Sequence, residues 1–180
     1  KNNEIKIDAM EQMIASLYSV KKGGWKQKFS TQPTISFEIV AKMEDIKFYI
    51  WVPKKLQDLV EKQVHGAYSD ALIEEVSEHD IFNESGKVAY KSFQLKKDSF
   101  YPIKTFKELP TDPLASVTST LAKMSAGEAA SIQILVSPAD SSWQSGGRKF
   151  IATTKKQESN PEAAKFSVPA KTLEAVENKV

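Results

Sequence analysis

The sequence has no cysteine, two histidines, and a single arginine (Arg148) against 24 lysines. Without cysteine there are no disulfides and no thiolate metal sites, and the redox compartment is left undecided. Planar recognition of phosphates and base edges favours arginine, whereas lysine acts as a point charge. With a net charge of only +2, the chain carries a poor footprint for a dedicated nucleic-acid binder. No apolar run approaches the ~18 residues needed to cross a bilayer, and no signal peptide is visible. Membrane insertion by these residues is therefore not expected.

Catalytic motifs are missing as well. The one Gly-Lys step, Gly86-Lys87, runs into Val88 and lacks the upstream glycine of a phosphate-binding loop. Neither a dinucleotide fingerprint nor a nucleophile elbow occurs. His65 falls near the end of a predicted helix, where an imidazolium suits the helix dipole. His79 lies in the polar run Glu78-His79-Asp80, and the two histidines lack the spacing of a zinc helix. Glu74 and Glu75 are adjacent on a predicted strand, so they face opposite ways and cannot act as an acid–base pair. No catalytic, cofactor-binding or metal-ligating residue is assigned, and no small-molecule substrate or cofactor is expected.

Hydrophobic content of 41% and charged content of 27% are ordinary for a globular protein. The organising stretch is Thr34 to Val76. Ile35, Phe37 and Ile39 alternate with Ser36 and Glu38, the period-2 pattern of a half-buried strand. After a turn near Lys42 to Asp45, Ile46, Phe48, Ile50 and Val52 resume the alternation, with Lys47, Tyr49 and Trp51 on the other face. Pro53 ends that strand and suits the first turn of a helix. Leu56, Leu59, Val60, Val64 and Ala67 then follow at helical spacing. An antiparallel hairpin is predicted, with the helix from about 54 to 68 packed on its Ile/Phe face, Phe37 and Phe48 included.

Upstream, Ile5 and Ile7 read as the end of a strand. Asp8 reads as the N-cap of a helix carrying Met10, Met13, Ile14, Leu17 and Tyr18, which Gly23 and Gly24 end. Downstream, Ala71 to Val76 reads as a short strand. The order β-α-β-β-α-β is that of a ferredoxin-like, split βαβ unit over 1–77. Residues 78–180 read as a second, incomplete α/β unit packed on the first. Its expected elements are a strand over Val88 to Lys96 and a helix opened by Asp112-Pro113, carrying Leu114, Val117, Leu121 and Met124 and ended by Gly127. A strand over Ala129 to Ser137 follows, then a helix capped by Asp140 or Ser141 and bearing Trp143, Gly147, Phe150 and Ile151. Gln157 to Ala164 reads as a polar loop, and a last helix after Pro169 carries Leu173, Val176 and Val180. The fold class is α+β.

Two features suggest a contact surface. In Lys21 to Phe29, lysines alternate with aromatics; Lys21, Lys22, Lys26 and Lys28 with Trp25 are candidates for gripping a single strand through phosphates and stacking. A solvated loop plugged into the domain by Trp25 and Phe29 is the simpler account of the same residues. Trp51, on the polar-alternating face of its strand, is the other candidate.

Several stretches resemble one family. Asp8 to Tyr18 looks like the helix just ahead of the ATPase core in bacterial type IV secretion DNA-binding (coupling-type) ATPases. Ile35 to Ile39, Ile46 to Pro53, Ala67 to Ala71 and Ser137 to Trp143 are similar to the same pattern. Those proteins are membrane-associated, hexamer-forming motors of the HerA/FtsK class, whose P-loop domain follows an α+β amino-terminal region. The resemblance implies a non-catalytic accessory domain of a longer motor protein, held at the inner face of the membrane through its parent. Other domains or subunits of that motor, and other secretion components, would be its partners. The start at Lys1 and the stop in a helix-like stretch at Val180 fit the same expectation of a fragment. A single-stranded nucleic-acid-binding module using the Lys21–Phe29 loop is the alternative.

Overall fold

The computed structural model describes residues 8–21, 32–42, 45–77, 81–82, 85–105, 108–159 and 168–180. Among them are five α-helices and one three-stranded antiparallel sheet, so the molecule mixes helix and sheet. The elements are α1 (Asp8–Ser16), β1 (Ile35–Lys42), β2 (Asp45–Trp51), α2 (Gln57–Ala67), α3 (Pro113–Leu121), β3 (Ala129–Val136), α4 (Ser142–Glu158) and α5 (Ala170–Lys179). Single 3-10 turns extend α1 over Leu17–Val20 and lead into α2 over Lys54–Leu56.

The chain divides into two units, each built from two separate stretches. The first comprises Lys1–Lys87 with Leu114–Ala139, the second Val88–Pro113 with Asp140–Val180. In the first unit the sheet order is β2-β1-β3, and both neighbours run antiparallel to β1. The strand at Ala129–Val136, expected in a second unit starting at 78, is therefore hydrogen-bonded into the first sheet. Local pattern identifies a strand, but which edge it joins depends on contacts far away in sequence.

Register fixes the two faces. Ile35, Phe37, Ile39 and Ala41 sit opposite Ile50, Phe48 and Ile46 on one side, and Val136, Ile134, Ile132 and Ala130 on the other. This all-apolar face holds two separate clusters. Leu17 and Val60 bury against Ile35, with Phe37, Val52, Val64 and Val136 around them. Leu121 buries against Ile39 and Ala41, with Val117, Met124, Ile46 and Ala130 around it. The α2 helix thus lies on the predicted face, but over its Ile35 end. Phe48, expected to be buried beneath it, is 70% exposed.

Two further expectations are corrected. Ala71 to Val76 and Val88 to Lys96 have strand-like alternation but are irregular. Among the described residues no neighbouring strand supplies the ladder that such a pattern needs. The strand expected at Ile5 to Ile7 lies outside the described residues, so of the split βαβ order the run α1-β1-β2-α2 is present among them, without a last strand after α2. The α3 helix ends at Leu121 rather than at Gly127. Gly127, at φ 87°, instead serves the turn closed by Glu128 N donating to Ser125 O, a conformation that favours glycine.

In the second unit α4 packs on α5, with Leu173 and Val176 buried and Gly147 facing Phe100 and Val180. Phe100, Tyr101 and Phe150 form an aromatic cluster with centroids 4.7–5.4 Å apart. Lys179 Nζ donates to the carbonyls of Ser99 (2.6 Å) and Tyr101 (2.9 Å) and lies over the Trp143 ring. One lysine head thereby ties an irregular segment to both helices.

Candidate interaction surface

The candidate residues fall in different places. Lys21 closes the 3-10 turn, its Nζ donating to the Tyr18 hydroxyl (3.0 Å) over the same ring. Lys22, Trp25, Lys26 and Lys28 lie outside the described residues, as does His79. Trp51 ends β2, pairs across from Ser36 and is 60% exposed. Of the sequence-derived set, the described residues therefore place only Lys21, beside Tyr18, and Trp51, on the sheet.

Around Trp51 the sheet's second face carries a polar centre that alternation alone did not reveal. Ser36, Glu38 and Val40 point the same way from β1, and all three are buried. Ser36 Oγ donates to Glu38 Oε1 at 2.8 Å, and Gln133 Nε2 reaches across from β3 to the same oxygen at 3.2 Å. A carboxylate buried to this degree requires such donors, since leaving it unsatisfied costs several kcal/mol, roughly. Tyr49 and Trp51 flank this centre from β2, Gln133 and Leu135 from β3. Ser131 Oγ, opposite Val40, is buried with no hydrogen-bond partner among the described residues.

A central strand has neighbours on both edges, so side chains on both its faces lose water. Val40, an apolar residue in phase with Ser36 and Glu38, was the one signal in the sequence that this face is covered.

Large apolar side chains remain outside. On the apolar face these are Phe48, Ile50, Ile132 and Ile134, between the two helical clusters. In the irregular part of the second unit, Tyr90 is 93% and Phe93 89% exposed, with Val88, Leu95 and Ile103 also open to solvent. Scattered apolar residues are normal on surfaces, but nearly bare aromatics within six residues of each other are the composition of a contact patch. His65 is exposed in the last turn of α2, and no group of acidic residues and histidines able to hold a metal occurs among the described residues. No helix among them is long and apolar enough to cross a membrane.

An α+β domain with exposed aromatic and aliphatic patches is the class these features define. Residues 1–166 match a domain of unknown function, DUF8128, and the chain belongs to that family. No curated protein matches it. No solved structure matches it either.

Proposed function

We propose that this chain is a non-catalytic interaction domain of a larger, membrane-associated motor ATPase of the type IV secretion or conjugation type. The single observation behind the interaction role is the exposure of Tyr90 and Phe93 with Val88 and Leu95 in one irregular stretch. Such side chains are the residues that protein–protein contacts bury. The motor assignment rests on the resemblance of 8–18, 35–39, 46–53, 67–71 and 137–143 to the amino-terminal region of coupling-type ATPases. In this protein those stretches cover α1, the first part of β1, most of β2 and the connection from β3 into α4. The ferredoxin-like order is supported by the run α1-β1-β2-α2. Other domains or subunits of the motor are the partners.

The test is the natural coding sequence around these residues. A Walker A motif on the same polypeptide is expected, and a complete reading frame without one overturns the motor assignment. The 180-residue chain alone should show no ATP hydrolysis, because it has no phosphate-cradling loop. Turnover that co-elutes with the purified chain would contradict a non-catalytic role.

A further inference from the structure

We infer that the outer edge of β3 pairs with the same edge of a second copy of this chain, antiparallel and centred on Gln133. This goes beyond the motor proposal and does not depend on it.

An exposed strand edge is a row of unpaired N–H and C=O groups, and natural sheets blunt it with lysines, prolines, bulges or covering segments. Among the described residues β3 is such an edge, eight residues long, reading AASIQILV. It contains no charge, no proline and no glycine. Its outward residues stay in water, with Ile134 at 56% and Leu135 at 68% exposure. The opposite edge strand, β2, differs: it carries Asp45 and Lys47, joined at 3.2 Å.

The choice of a second copy follows from the pairing arithmetic. Side chains on paired strands share a face only when partners have the same parity. A two-fold axis at Gln133 then sets Ile132 opposite the partner copy's Ile134, and Ala130 opposite its Val136, on the apolar face. On the other face Gln133 meets Gln133, and Ser131 meets Leu135. Every apolar residue finds an apolar partner on the Ile face, as an isologous contact requires. Gln133 already donates to Glu38, which leaves its amide oxygen to accept from the partner copy's amide. An uncharged edge brings no like charges together in self-pairing, whereas a charged outside partner would find nothing on it to attract.

The absence of native cysteine makes the register directly readable by cross-linking. In sedimentation velocity over roughly 10–300 µM, the intact chain should show a concentration-dependent dimer. Ile134→Lys should abolish it while leaving the circular dichroism spectrum unchanged. Under mild oxidation Gln133→Cys should form a disulfide-linked dimer, and Leu135→Cys should not, since its two copies would stand about 13 Å apart along the strands. Gln133→Cys removes a bond to Glu38. If that variant does not fold, an equimolar mixture of Ser131→Cys and Leu135→Cys should give the mixed disulfide that neither gives alone. A chain that stays monomeric across the range overturns the pairing. So does a dimer indifferent to Ile134→Lys, or one in which Leu135→Cys links to itself.

Discussion

Lys54 and Glu75 are an exposed pair whose Nζ–Oε1 distance is 3.0 Å. The Lys54 hydrogen bond, followed by that of Gln57, holds the Glu75 carboxyl below its ordinary value. A carboxyl depressed on folding contributes stability that is present above its unfolded pKa and is lost as pH falls through the folded one. The effect therefore belongs to the acid side and weakens with salt. In Lys54→Met, an NMR titration of Glu75 should move up toward the ordinary carboxylate range; an unchanged curve would mean that the pair does not form. Packing sets a sterner limit at Gly147. A Cβ there would come within 2.5 Å of a Val180 methyl and 3.1 Å of Phe100 Cβ. Alanine is the better helix former, but overpacking typically costs about 1–3 kcal/mol. Gly147→Ala should accordingly lower stability in urea melts, and a gain in stability would show that the contact yields.

At the scale of the element, exposure separates residues that alternation treats alike. Ile39 and Phe48 face each other across β1 and β2, yet Ile39 is buried beneath α3 while Phe48 is open. Ile39→Ala should cost about 2–5 kcal/mol, the usual loss for a buried aliphatic side chain. Phe48→Ala should cost clearly less, which paired denaturant melts would show; equal losses would place Phe48 in the core. The β1-β2 hairpin, β3 and α3 were legible because each has its own local signal: alternation for the strands, Asp112-Pro113 for the helix. Ala71 to Val76 and Val88 to Lys96 carry the same alternation and form no strand, since pairing needs a partner that no local pattern names. Trp51 could be singled out in the sequence as an aromatic on a polar face. Glu38 could not, because its burial follows from β1 being flanked on both edges.

At the scale of the molecule, each unit is assembled from two stretches of chain. The 1–77 stretch that the sequence suggests as a unit lacks β3 and Leu121, hence one ladder of β1 and the cover of Ile39. Expressed alone it should give a poorly dispersed NMR spectrum. A version joining 1–87 to 114–139 through a short Gly/Ser linker should be well dispersed, and a folded 1–77 would show that β3 is dispensable. The discontinuity also has a history in time. Gln133 and Glu38 are 95 residues apart in sequence. At roughly 5–20 residues per second of synthesis, β1 spends several seconds outside the ribosome with one edge bare before its rightful neighbour exists. Whatever strand reaches that edge first, from this chain or from the one emerging on the next ribosome, competes with β3 for it. The order of birth, as much as the final fit, decides how cleanly this sheet is made.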